Sequence, residues 1–336
     1  MSFELRKLED VCDILDHIRI PITSRDRKDG PYPYYGANGI QDYIDDYIFD
    51  DDLVLLAEDG GNFGSKEKPI AYRISGKTWV NNHAHVLKPK NIIDVDYLCY
   101  SLMYYDVSGL VNGATRQKLT QSEMRKINIR YRSLEKQRQI VFKIKLVSNI
   151  ISSRKHQLCN LDLLVKSRFI EMFGDPIKNS KGLPLIRLGD YCYLKAGVTT
   201  PADTIHEYSK EYNVPCYGGN GIRGYVKEAT QSGEYPIIGR QGALCGNVKL
   251  ATGIFHATEH AVLVKALRPA NTVWLYFMLM FMDLYRFHTG AAQPGLAVKT
   301  LNTILVPEAD VNLQNQFADF VAQVDKSKFV VTAKFQ

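Results

Sequence analysis

Several things are missing from this chain, and each absence removes a class of function. Its longest apolar stretch, Val273 to Met282, is about half of the roughly 20 residues that a membrane-spanning helix needs. The N-terminus, MSFELRKLED, has no hydrophobic core and no small-residue cleavage site, so no secretory signal is expected. Six cysteines (Cys12, Cys99, Cys159, Cys192, Cys216, Cys245) are scattered without a C-x-x-C pair. In 336 residues that pattern suits reduced thiols in a cytoplasmic protein better than a disulfide framework. No G-x-x-x-x-G-K-[ST] loop offers a nucleotide-driven motor, and no elbow sequence marks a Ser/His/Asp centre. Neither Asn-Pro-Pro nor Asp-Pro-Pro, which an amino-methyltransferase would use to grip its base, is present. Any catalysis is therefore expected from partners.

What remains is a mildly basic chain of net charge +6, compatible with nucleic acid without proving it. It carries 20 tyrosines, whose rings stack and whose hydroxyls hydrogen-bond. The length calls for two domains, and the chain repeats itself. Tyr35-Gly-Ala-Asn-Gly-Ile40 returns as Tyr217-Gly-Gly-Asn-Gly-Ile222, and Leu8-Glu-Asp10 as Leu188-Gly-Asp190. Gly113-Ala-Thr-Arg-Gln-Lys-Leu119 returns as Gly290-Ala-Ala-Gln-Pro-Gly-Leu296, and Leu134-Glu-Lys-Gln137 as Leu313-Gln-Asn-Gln316. Four matches in one order at offsets of 177 to 182 indicate a tandem duplication.

Each repeat begins with a mixed α/β part. Leu53–Ala57 and Ala261–Val264 read as buried strands, and Asp96 to Tyr105 and Thr272 to Met282 as short helices. A helix follows. From Leu134 to Phe173 there is neither Gly nor Pro, and Gly174-Asp-Pro176 ends the run. Alternating steps of four and three pick out Ile140, Ile144, Val147, Ile151, Arg154, Leu158, Leu161, Val165, Arg168 and Met172, a coiled-coil seam with two polar interruptions. Its expected partner is the second copy near Leu313, with Phe317, Val321, Val324 and Val331 on one face, packed antiparallel. That copy has only 24 residues to Gln336, too few to cover the far end of a 40-residue helix. The expected fold class is α/β: two mixed α/β recognition domains separated by long antiparallel coiled-coil helices with an internal pseudo-two-fold repeat. The expected divisions are 1–132, 133–180, 181–308 and 309–336.

Charge is uneven. Residues 125–155 hold ten Lys or Arg against Glu135 alone, which suits phosphate contact, through Lys143 and Lys145 for example, or an ordinary solvated face. Residues 42–59 hold eight acids and no base. Clustered oxygens attract hard cations, but Asp50-Asp-Asp52 leads directly into a buried strand, so no metal site is assigned and this edge is expected to face away from phosphates. Asn81-Asn-His-Ala-His85 and His256-Ala-Thr-Glu-His260 precede the matching strands Ala84–Leu87 and Ala261–Val264. Two histidines without a third ligand make a weak zinc motif. Asn82, His83 and His256 fit base or backbone contact, or structural hydrogen bonding. The Tyr-Gly-x-Asn-Gly turns (Tyr35, Asn38, Asn220) suit tight hairpins. Near them Asn112, Arg116, Gln117, Lys118, Arg223, Arg240, Gln241 and Gln293 sit in Gly-rich loops. Arg matches guanine, and Asn or Gln adenine, by paired hydrogen bonds in the major groove.

Leu134-Glu-Lys-Gln-Arg-Gln-Ile-Val141, with a long helix ending in Ser167-Arg-Phe-Ile-Glu-Met-Phe-Gly-Asp175, resembles the central region of type I restriction–modification specificity subunits. Ala57-Glu-Asp-Gly-Gly-Asn-Phe-Gly64, then Trp79-Val-Asn-Asn-His-Ala-His-Val-Leu87, and Gly113 to Leu119 leading into Ile127-Asn-Ile129, are similar to that family's target-recognition domains. The resemblance implies that each domain reads one half of a bipartite site in double-stranded DNA. The helices would set the gap and dock two methyltransferase (modification) subunits, joined by a restriction subunit, with no membrane role. S-adenosylmethionine would belong to the partners, leaving this chain without a cofactor or catalysis of its own. The readings that compete with this one are a metal-dependent nuclease and a coiled-coil scaffold that binds no DNA.

Overall fold

A computed structural model describes residues 3–113, 116–290 and 293–333. Ala114, Thr115, Ala291 and Ala292 of the repeated Gly-rich segment, and the last three positions of the expected C-terminal helix, lie outside the described residues. The chain divides into two compact units, Met1–Ser152 and Ser153–Gln336. The long helix Leu134–Phe173 begins in the first and ends in the second.

The first unit holds two four-stranded sheets. One runs in the order Cys12–Ile14, Ala84–Pro89, Leu53–Ala57, Ala71–Ile74, all antiparallel. The other runs Gly39–Ile44, Tyr32–Gly36, Lys77–Val80, Phe49–Asp50, with one parallel pairing of Tyr32–Gly36 to Lys77–Val80. Leu53–Ala57 is buried at every position, as the sequence predicts for a strand covered on both faces. Helix Val95–Leu102 packs on the first sheet, its start capped by the Asp94 carboxylate, which accepts from the Asp96 and Tyr97 amides.

In the second unit the same plan is one six-stranded sheet: Cys192–Ala196, Ala261–Ala266, Gln231–Gly239, Val248–Ala257, Val214–Gly218, Gly221–Val226. The difference is local. Asp51–Asp52 and Ser75–Gly76 interrupt two strands of the first unit, whereas the longer Gln231–Gly239 and Val248–Ala257 stay paired through Gly233 and Gly253. Helix Thr272–Phe281, capped by Asn271, repeats the role of Val95–Leu102.

Backbone bonds fix the register of the duplication. The Leu8 amide donates to the Ile127 carbonyl and Leu188 to Ile304, each at 2.8 Å. Asn81 donates to Tyr35 as Thr258 does to Tyr217. Leu119 donates to Glu58 and Leu296 to Arg240. One sequence match needs a two-residue correction. Buried Gln137 corresponds to Gln314, not to Gln316, because these two amides perform the same task. Each accepts from the backbone of the capping residue of the short helix (Asp94 at 2.7 Å, Asn271 at 2.8 Å) and donates to a carbonyl just before its own helix (Arg132, Ala309).

The helix limits Leu134 and Phe173 coincide with the Gly- and Pro-free run, and Gly174 takes the left-handed φ of 80° that a helix end favours. In the second unit, Val165, Phe169 and Phe173 pack against Phe317, Val321 and Val324 of the closing helix Val311–Ala333. The pairing is antiparallel: Phe317 meets Phe169 and Phe173, while Lys328 reaches back to Asp162 at 2.7 Å. Phe169 and Phe173 lie one position beyond Arg168 and Met172 of the expected seam, because the wide aromatic core beside the sheet draws a broader stripe inward than a/d spacing alone. Val147 and Ile151, also on the expected seam, are exposed.

Candidate nucleic-acid interface

Superimposing the two registers gathers most of the singled-out residues at one equivalent rim in each unit. The rim is built from the Asn-Gly hairpin turn, the residues that follow the buried central strand, the turn that precedes its neighbour, and the described residues of the Gly-rich loop (112–113 and 116–118, or 289–290 and 293–295).

In the second unit this rim encloses an open cleft of about 480 Å³, lined by Asn220, Arg223, Gln241, His260 and Gln293 among others. Gly290 (φ 89°) turns the loop so that the Gly242 amide meets the Pro294 carbonyl and Gln241 bridges to Gly295. A side chain at 290 would stand 2.8 Å from the Gln293 carbonyl, so the turn requires glycine. Arg223 lies over Gly218, where a Cβ would collide with it. Arg240 reaches the Glu259 carbonyl at 3.4 Å through one guanidinium nitrogen, and its Nε has no hydrogen-bond partner among the described residues.

In the first unit the same backbone positions carry different chemistry. Gly113 (φ 106°) makes the corresponding turn, Asn112 pairs with Lys118, and the Gly60 amide donates to the Gln117 carbonyl. Asn38 donates from its side chain to the Gly60 carbonyl at 3.0 Å. Asp59 stands where Gln241 stands, and its Oδ1 lies 2.8 Å from Arg116 Nη2 and 2.6 Å from His83 Nδ1. Glu58 stands where Arg240 stands and pairs with Lys118 at 2.9 Å. Asn82 and Gln117 are exposed at the same edge.

Beneath this rim is a buried ionic cluster. Asp16, Glu58 and His85 bring donor atoms within 4.8 Å of one another, a set of the kind a cation uses. Protein cations already meet that charge. Arg19 bonds Glu58 at 2.5 Å and lies 3.5 Å from Asp16. His85 is fully buried between the Asp16 carboxylate (2.6 Å) and the Leu119 carbonyl (2.8 Å), so both ring nitrogens face acceptors. Burial opposes ionisation of Asp16, yet hydrogen bonds from His85, Gln121 and the Val86 amide hold its pKa below the usual value. Burial also opposes Glu58, and Arg19 and Lys118 overcome it in the same direction. The second unit has Ala196, Arg240 and Val262 at these positions and, among the described residues, no such cluster.

Four expectations change. His256 was read as part of the loop leading into the strand at Ala261; it lies inside the strand Val248–Ala257, with Nε2 2.8 Å from Thr200 Oγ1. Its counterpart in the first unit is Trp79, and the counterpart of His83 is His260. The 177-residue offset of the Gly113 and Gly290 loops would have revealed this. Tyr35 is half-buried against Tyr72 (5.8 Å), its phenol pushed up by burial, so it supports the hairpin from below the rim. Lys143 and Lys145 are both exposed, but Lys145 is bonded at 2.6 Å to Asp96, which also pairs with Arg73, so a neighbouring carboxylate already meets its charge. The acid run does not all turn away from the rim. Asp42, Asp51 and Asp52 pair with Arg27, Lys88 and Arg73, but Glu58 and Asp59 end the run inside it.

Residues 2–160 match the family described as Type I restriction modification DNA specificity domain. The chain is 44% identical over 139 residues to the type I restriction enzyme EcoprrI specificity subunit of Escherichia coli, covering 41% of this chain and 35% of that protein. It is 36% identical over 138 residues to the putative specificity subunit S.HindORF215P of Haemophilus influenzae, again covering 41% and 35%. These matches therefore span about a third of the curated relatives' length. The whole fold is shared with the type I restriction–modification system S subunit from M. genitalium, at 15% identity and a TM-score of 0.67 over 99% of this chain and 92% of that one. The first half of the chain thus matches the type I restriction–modification DNA specificity domain, and the chain as a whole shares the fold of that S subunit.

Proposed function

We propose that this chain recognises a bipartite sequence in duplex DNA, each unit reading one half through its rim. The supporting observation is the repetition of one rim, at equivalent backbone positions, with different polar side chains in each copy. A duplicated scaffold with changed tips is what reading two different half-sites requires, because loops on a rigid frame carry recognition. In this reading Arg116, Gln117, Lys118, Asn38, Asn82, His83 and Asn112 serve one half. Asn220, Arg223, Arg240, Gln241, Gln293 and His260 serve the other. Lys143 contributes to phosphate contact and carries no sequence information.

The chain does no catalysis in this account. Its buried Asp16–Glu58–His85 group is saturated by Arg19 and Lys118 and supports the first rim. Modification subunits, and a restriction subunit joined to them, dock on segments outside the rims (133–180 and 309–336), and the reading domains are 1–132 and 181–308. Two linked readers gain affinity by effective concentration only when the half-site spacing suits them. The test is selection of bound fragments from random duplex DNA by the full chain mixed with its cognate modification subunit. A motif of two short halves with a fixed gap is expected; fragments without a shared motif overturn the reading.

A further inference from the structure

The two rims differ in charge at the position beside the Gly-rich loop. In the second unit Gln241 offers a neutral amide. In the first, Asp59 offers a carboxylate whose single Oδ1 lies 2.8 Å from Arg116 Nη2 and 2.6 Å from His83 Nδ1. Asp59 is itself mostly shielded, with 18% of its side chain exposed, while 61% of Arg116 remains open to solvent. The carboxylate thus holds the guanidinium from behind and leaves its remaining N–H groups outward. An adjacent brace comes from Lys118 on Glu58 at 2.9 Å, which ties the far side of the same loop to the strand end. A guanidinium on a Gly-turned loop has many orientations, and fixing one of them lowers the ordering cost of a two-point contact. Such a fork suits an edge carrying two acceptors, which in the major groove is the O6/N7 edge of guanine.

We infer that Asp59 is the positioning residue that sets specificity in the first unit, by fixing Arg116 against a guanine edge. This rests on the DNA-reading function proposed above. It predicts an asymmetry between the halves. Base preference in one half depends on a carboxylate that never touches DNA, and the other half, with Gln241 at that position, has no such dependence.

The experiment compares wild type, Asp59→Asn, Asp59→Glu and Arg116→Lys, each as the full chain with its modification subunit, by selection from random duplex DNA. Asp59→Asn and Arg116→Lys are expected to lower the preference for guanine at the affected position of one half by about tenfold or more. The other half should not change, and Asp59→Glu should retain most of the preference. A purely structural role for Asp59 would weaken binding to every sequence and leave both halves' preferences as they were; that result overturns the inference while the two-half motif stands. Retention of the guanine preference by Arg116→Lys overturns it equally, since lysine keeps the charge and loses the fork. A wild type that selects no bipartite motif refutes the function itself, and the inference with it.

Discussion

Asp16, Glu58 and His85 show how a single buried group ties fold to rim. His85 bonds the Leu119 carbonyl, and the Leu119 amide bonds the Glu58 carbonyl, so the end of the Gly-rich loop is held from both sides. Removing one member leaves the others buried and uncompensated, which costs about 3–5 kcal/mol. Asp16→Ala and His85→Ala should each lower the stability of the first unit by that order in chemical denaturation; a loss under about 1 kcal/mol would show that the cluster relaxes without them. The pH dependence has a definite sign. Both carboxyls have folded-state pKa values below their unfolded ones. Their contribution is therefore complete above about pH 4–5 and is lost as pH falls through the folded values. Glu58→Gln should flatten the acid limb of a stability–pH curve, and an unchanged limb would contradict the assignment. None of this cluster was legible in the sequence. Asp16, Arg19, Glu58, His85 and Lys118 lie up to 102 positions apart, and only the sheet brings them together. The cysteines, by contrast, were readable: all six are free thiols, five of them buried, and burial pushes Cys12 and Cys192 up to about 12.

At the scale of elements the sequence is most informative where backbone chemistry is local. A Gly- and Pro-free run defines the long helix, Asn-Gly defines two hairpin turns, and a solid apolar run defines each central strand. It is least informative where a partner decides. Phe169 and Phe173 escape a four-three pattern because they answer to a core of Trp274, Phe281 and Phe317. Phe169 is fully buried among Phe173, Phe281 and Phe317. Phe169→Ala should therefore destabilise the second unit by about 3–5 kcal/mol. Calorimetry or denaturant titration checks this, and a cost below about 1 kcal/mol would mean that the helix pair is not part of that unit's core. Gln137 and Gln314 teach the same lesson for polar groups. The sequence repeat sets Gln137 against Gln316, but the residue that meets the capping backbone is Gln314, two positions earlier.

At the scale of the whole molecule, the duplication was legible from four short matches, whereas the chemical divergence of the two copies was not. Arg116 and Gln293 are counterparts by the sequence repeat itself, whereas Glu58 and Arg240, and Asp59 and Gln241, are identified as counterparts only by the backbone register. Salt dependence separates general from specific contacts. Lys143→Ala should weaken binding to all duplex sequences alike and reduce the slope of log affinity against log salt by about one. A loss confined to one sequence would contradict a phosphate role. Adding about four residues near Ser152 lengthens the helix by roughly 6 Å and should alter the preferred gap between half-sites; an unaltered gap would mean that the helix is no ruler.

The central claim is that two rims read two halves independently. Its most direct test is a pair of selections from random duplex DNA, one with Arg116→Ala and one with Gln241→Ala combined with Gln293→Ala, each in the full chain with its modification subunit. The account predicts that the first variant changes base preferences in one half of the motif only, and the second in the other half only. If either variant alters both halves, or both variants alter the same half, the two-reader account is wrong.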